Sequence, residues 1–129
     1  MKLVLVSLLV VPLIAGIFSR WQKKEEPDLD QQVLDQLKKA GSDLSKPHDI
    51  DFFLYFPKEA AAKEAAKDIE ANVDTVKVEL GPDKQNWLCF GNKRMVPDHD
   101  KLVALRKRFN EVARKGNGLY DGWGTEVVK

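Results

Sequence analysis

Apolar positions along this chain follow two periods, and one opening stretch has no polar period at all. That stretch, MKLVLVSLLVVPLIAGIFSRWQKK, holds sixteen uncharged residues from Leu3 to Phe18. A membrane-crossing helix needs roughly 17 or more. Ser19 and Trp21 extend the run, and Trp at its edge suits an interfacial anchor. The expectation is an N-terminal membrane segment over 1–21, crossing once, then a charged linker over 22–28, QKKEEPD. A cleaved signal peptide is the rival reading, since Lys2 supplies a charged start. Its cleavage candidates Ala15, Gly16 and Ser19 run into Ile17, Phe18 and Arg20, with no clean A-x-A site.

After the linker, helical and strand periods alternate over a body at 29–129. Leu29, Val33, Leu37 and Ala40 recur at helical spacing, and Gly41 is a natural stop. Residues 49–56, DIDFFLYF, read as a strand closed by Pro57. Residues 58–71 are alanine-rich and helical, with Asn72 as a cap candidate. Val76, Val78 and Leu80 alternate in TVKVEL, and the turn GPDKQN leads to WLCFGNKRM, which predicts a hairpin of strands 75–80 and 87–95. Asp98 caps a helix reaching about Arg114, with Leu102, Leu105, Phe109 and Val112 on one face. Gly116 and Gly118 end it, and 119–128 reads as the last strand. The order predicts an α+β fold: a ferredoxin-like β-α-β-β-α-β antiparallel sheet with two helices on one face, plus an extra N-terminal helix at 29–40.

The alternation in DIDFFLYF has a second consequence. Ile50, Phe52, Leu54 and Phe56 share the side that belongs against the helices, which leaves Phe53 and Tyr55 on the other side with Asp51. Large apolar groups bare in water usually mark a contact site. Helix 29–40 is expected to cover them, with a partner protein or nucleic acid as the alternative. In the last strand, strict alternation groups Tyr120 with Gly122, Gly124 and Glu126, and Asp121 with Trp123, Thr125 and Val127. The two glycines then make room for neighbouring rings or mark a bulge. Phe53, Tyr55, Asp121 and Trp123 are the candidate partner contacts.

Charge narrows the function. The formal net charge is +1, without the strong basic excess of a dedicated nucleic-acid binder. Four basic groups and no acid lie in residues 1–24, which leaves 17 basic and 20 acidic residues, a net of −3, over the rest. The basic groups flanking the apolar run tilt the orientation toward a cytoplasmic body. Lys93, Arg94, Arg106, Lys107, Arg108, Arg114 and Lys115 could form a basic patch, yet LCFGNKRM does not match the aromatic run of RNA recognition motifs, so direct RNA binding is not expected.

Chemistry is sparse. Cys89 is the lone cysteine, which excludes an intramolecular disulfide and a cysteine zinc site. It sits mid-strand with no base or cationic neighbour in sequence to activate it. His48 lies at a strand entry and His99 at a helix start, and neither has the further ligands a metal needs. No phosphate cradle or nucleophile elbow is present. No catalytic residue, cofactor or metal is expected. An enzyme built on Cys89 and a histidine is the least favoured reading.

Three phrases, VLDQLKKAGSDLSKPHDIDFFLYFP at 33–57, WLCFGNKRMVPD at 87–98 and YDGWGTEV at 120–127, resemble the RraB family, the regulators of ribonuclease E activity, over roughly residues 28–128. The resemblance implies a small α+β domain without catalysis of its own. It implies inhibition of ribonuclease E, or of another endoribonuclease, by protein–protein contact, with an indirect effect on RNA turnover in a bacterial cytoplasm. Joined to the apolar start, this becomes a regulator anchored in the bacterial inner membrane. The alternative is a direct RNA- or small-ligand-binding domain that uses the aromatic sheet face.

Overall fold

The computed structural model describes residues 27–129, so the apolar segment expected at 1–21 and all but the last two linker residues lie outside the described residues. Among the described residues, no helix is long and apolar enough to cross a membrane. Helix α1, Leu29–Lys39, starts where the Asp28 carboxylate accepts the Gln31 N–H at 3.0 Å. It stops at Gly41, whose φ of 95° lets the Ser42 N–H reach back to the Leu37 carbonyl at 2.9 Å. Strand β1, His48–Phe56, follows, then helix α2, Glu59–Ile69, and the hairpin of β2, Thr75–Leu80, and β3, Trp87–Met95. Helix α3, His99–Lys115, is capped by Asp98, which accepts the Lys101 N–H at 3.0 Å. Strand β4, Leu119–Gly124, ends the regular structure.

The four strands form an antiparallel sheet in the order β2-β3-β1-β4, as a split β-α-β-β-α-β chain produces. Ile50, Phe52, Leu54 and Phe56 are fully buried on the helix side of β1. Small residues of α2, Ala62 and Ala65, let that helix come close, and Ile69 fills the space between. From α3 come Leu102, Phe109, Val112 and Ala113. The Phe109 ring meets Phe52 edge-on at 5.2 Å and Tyr120 at 5.6 Å. Burying one such ring or aliphatic side chain contributes about 1.5–3 kcal/mol, so this layer supplies most of what holds the domain together.

Helix α1 does not cover Phe53 and Tyr55, contrary to expectation. It packs on α3, and Leu34 and Leu37 join the core on the helix side of the sheet. Its buried face is Asp30, Leu34 and Leu37, while Leu29 is 47% exposed and Ala40 is exposed. The turn of the helix is set by Asp30, which is buried to make polar bonds described below.

Strand β4 also departs from the expected pattern. Phe52 pairs with Trp123 and Leu54 with Tyr120, so Asp121 and Gly122 together stand opposite Phe53 in a bulge. Gly122 sits at φ 100°, where a side chain is strained. The extra residue puts Tyr120 and Trp123 on the same side, and both are buried in the core. A Cβ at Gly122 or Gly124 would meet nothing within 4 Å, so neither glycine makes room for a ring.

The strand stops at Gly124 rather than near 128. Residues 125–128 turn toward the loop before β1. The Thr125 hydroxyl donates to the Asp49 carbonyl at 2.7 Å, and the Asp43 N–H donates to the Val128 carbonyl at 2.6 Å. Buried His48 ties this junction. Its Nδ1 lies 2.8 Å from the Lys46 carbonyl and its Nε2 lies 2.6 Å from the Ser42 hydroxyl, which accepts the Val128 N–H at 2.9 Å. A carbonyl can only accept, so Nδ1 carries a proton, and Nε2 and the Ser42 hydroxyl share one between them.

Candidate functional site

The side of the sheet away from the helices is open among the described residues. Its centre is apolar. Phe53 on β1 meets Phe90 on β3 edge-on, with ring centroids 5.4 Å apart. Tyr55 stands opposite Leu88 on one flank and Leu119 on the other. Leu88 is buried beneath this cluster, whereas Leu119 is 60% exposed. The Lys77 ammonium lies 5.6 Å from the Phe90 ring centre and 3.6 Å from Glu79.

Acids rim this strip at both ends. A groove of about 710 Å3 at one end is lined by Asp49, Asp51, Asn92, Arg94, Thr125 and Glu126 among others. There Asp51 accepts from the Asn92 amide at 2.8 Å, and Asp49 lies 3.3 Å from Arg94. A groove of about 300 Å3 at the other end is lined by Tyr55, Pro82, Asp83, Asn86, Leu119 and Asp121. Asp83 is held below the usual carboxylate range by the Asn86 and Gln85 N–H groups and the Asn86 amide, so it stays ionised. Burial, then the charges of Asp121 and Asp83, push the Tyr55 hydroxyl up. Asp49, Asp51, Glu79, Asp83, Asp121 and Glu126 thus lie around a face that also carries Lys77 and Arg94.

Of the four candidate contacts, Phe53, Tyr55 and Asp121 meet on this face. Trp123 does not: the bulge turns it into the opposite layer, where it is 7% exposed and its indole N–H donates to Asp30 at 2.9 Å. Asp30, only 1% exposed, also receives two bonds from Arg106, Nε at 2.9 Å and Nη2 at 3.0 Å. This bonding to Asp30 raises the Arg106 pKa. The guanidinium also lies 5.2 Å from the Tyr120 ring centre. These residues lock α1 to α3 and β4. Nothing in the α1 pattern pointed to Asp30, but Arg106 gave a signal, because it falls beside Leu102 and Phe109 on the inward side of α3.

Four of the seven residues that could have formed a basic patch are engaged apart from one another. Arg106 is spent on Asp30, and Arg94 lies by Asp49 on the open face. Arg108 donates to the Asp68 carbonyl at 2.8 Å and Lys115 bonds the Asp68 carboxylate at 3.0 Å, so both tie α3 to α2. Cys89 is fully buried, and burial pushes its thiol up to about 11, opposite to the shift a nucleophile requires. His99 bonds Asp28 at 2.8 Å and holds the starts of α1 and α3 together. Among the described residues, no group of three or more His, Cys, Asp or Glu side chains could hold a metal ion.

Fold and face together define a small α+β domain with three helices, a four-stranded antiparallel sheet and one uncovered, acid-rimmed aromatic face. Within that class, the chain belongs to the RraB family, the regulators of ribonuclease activity B, whose family model matches residues 27–125. No curated protein matches the chain. Family membership makes a regulator of ribonuclease activity the functional class.

Proposed function

We propose that this chain restrains ribonuclease E, or a related endoribonuclease, by seating a basic protein segment on the open sheet face. The observation that carries this reading is the charge of the rim: acids at both ends of an uncovered aromatic strip. A partner's aliphatic stems and rings would pack on Phe53, Tyr55 and Phe90 while its Lys and Arg side chains meet Asp49, Asp51, Asp83 and Asp121. Such complementarity steers encounter and fixes partner choice. The acids repel phosphate, which argues against nucleic acid on the same face. Aromatic groups on the two central strands favour the alternative of base stacking.

The test is cleavage of an RNA by purified ribonuclease E in the presence of this chain. The native chain is expected to slow cleavage. Phe53→Ala combined with Asp121→Lys should weaken inhibition at least about tenfold, equivalent to roughly 1.4 kcal/mol, with the fold retained by circular dichroism. Inhibition untouched by these substitutions would sink the assigned face. Tight binding of the free RNA by the chain would favour the alternative.

The apolar stretch at Leu3–Phe18 and Trp21 supports a second element of the proposal, a single-pass anchor in the bacterial inner membrane with the domain on the cytoplasmic side. Carbonate-washed membranes should retain the native chain. A soluble mature protein beginning after residue 19 would refute the anchor.

A further inference from the structure

Strand β2 is one edge of the sheet, regularly paired with β3 from Thr75 to Leu80. The Gly81 N–H bonds the Asn86 carbonyl at 2.7 Å, continuing that register. In an antiparallel ladder, hydrogen-bonded and non-bonded positions alternate. Glu79, Lys77 and Thr75 therefore bond inward to β3. The N–H and C=O groups of Val76, Val78 and Leu80 point outward, away from the sheet, and are unpaired among the described residues. Such an edge is a template for another strand.

We infer that β2 pairs with β2 of a second copy, antiparallel, about a two-fold axis through Val78. Outward groups must face outward groups, so a neighbouring register shifts one strand by two residues. Centred on Val78, the register sets Lys77 across from Glu79 of the other copy, twice, at non-hydrogen-bonded positions where side chains come closest. Val78 then faces Val78, and Val76 faces Leu80, which is 44% exposed in the single chain. The register two residues one way sets Lys77 against Lys77, and the register two residues the other way sets Glu79 against Glu79. Like charges directly opposite are destabilising. The placement of these two charges thus selects one register from its competitors.

The two-fold axis runs perpendicular to the sheet, so the open faces of both copies lie on one side of a continuous eight-stranded sheet. This pairing does not rest on the proposed ribonuclease contact: Lys77 and Glu79 flank the same open face, but the test reads self-association with no ribonuclease present. A short edge buries an area at the low end for specific contacts, so association is weak and requires concentrated protein.

Sedimentation equilibrium of the full chain in mild detergent, at low salt and high protein concentration, reads the outcome, since a short edge makes a small contact. The expected species is a dimer. Lys77→Glu should weaken it about tenfold or more, because two attractive pairs become repulsive. The double change Lys77→Glu, Glu79→Lys should restore it by exchanging the partners. Val78→Pro should also abolish it, since proline is tolerated where the lost N–H faces outward. A monomeric native chain overturns the inference. So does a dimer that Lys77→Glu leaves unchanged, which would place association elsewhere, including the apolar N-terminal segment.

Discussion

Replacing Asp30 with alanine tests whether one buried carboxylate holds α1 in place. The side chain accepts the Trp123 indole N–H at 2.9 Å and two guanidinium bonds from Arg106 at 2.9 and 3.0 Å. Truncation leaves the Trp123 N–H buried without a partner, a loss of about 1–3 kcal/mol. Stranding a charge in a fully buried pair would add roughly 3–5 kcal/mol. The Arg106 side chain, however, is 25% exposed and can recover water, so about 1 kcal/mol is the better figure for its share. The expected total is about 3 kcal/mol, a large part of the 5–15 kcal/mol that holds a typical domain. For a domain of this size that is a fall of roughly 10–20 °C in melting temperature. Urea unfolding followed by far-ultraviolet circular dichroism and tryptophan fluorescence measures it. Asp30→Asn, which keeps an acceptor for Trp123, should lose only about 1 kcal/mol. An alanine variant within 1 kcal/mol of native, or an asparagine variant as damaged as the alanine one, would refute the account of the lock.

Two glycines should fail for different reasons. A Cβ at Gly118 would overlap the Tyr55 carbonyl and the Phe56 ring, so Gly118→Ala should cost about 3 kcal/mol or more by overpacking. At Gly122 space is open but φ is 100°, so Gly122→Ala should cost only about 1–2 kcal/mol of backbone strain, with asparagine milder; denaturant midpoints rank the three. The His99 pKa is raised above 6.5, chiefly by its bond to Asp28. Its stabilising effect is therefore complete below the unfolded value near 6.5 and is lost as pH rises through the higher folded value. An NMR titration should place the His99 midpoint above 6.5, and Asp28→Asn should lower it. With its thiol pushed up to about 11 and fully buried, Cys89 should react with a disulfide reagent at pH 8 about a hundredfold more slowly than in the urea-unfolded chain; similar rates would contradict its burial.

The strand and helix order was legible because each element carries a clear period and clear punctuation. Alternation in DIDFFLYF separated Ile50, Phe52, Leu54 and Phe56 from Phe53 and Tyr55, and the structure keeps those two sides. Alternation fails where one residue is added. In LYDGWG nothing states which residue is extra, so strict alternation puts Trp123 on the wrong side, and only its pairing with Phe52 gives the right one. Periodicity alone misplaces helix α1 for another reason. An amphipathic pattern shows that a helix has a buried face but not which surface receives it, and here a buried acid counted as polar hid the true face. The open face was visible as a pair of unassigned aromatics. Of its acid rim only the β1 end was, since Asp49 and Asp51 alternate with Phe53 and Tyr55; Asp83, Asp121 and Glu126 join them only through the turn after β2, the bulge and the turn after β4.

The bulge in β4 also bears on what the sheet can become. A sheet with two straight edges can take on a copy at each side, and each added copy offers a fresh edge, so growth has no natural end. Here Asp121 and Gly122 distort one edge while β2 leaves the other regular. Pairing through β2 uses up that edge on both copies and exposes only two bulged strands at the ends of the combined sheet. A single extra residue at Gly122 therefore separates a closed pair from an open-ended ribbon. Its deletion would leave Tyr120 and Trp123 facing the core as before, yet would straighten β4 into a second site for strand addition.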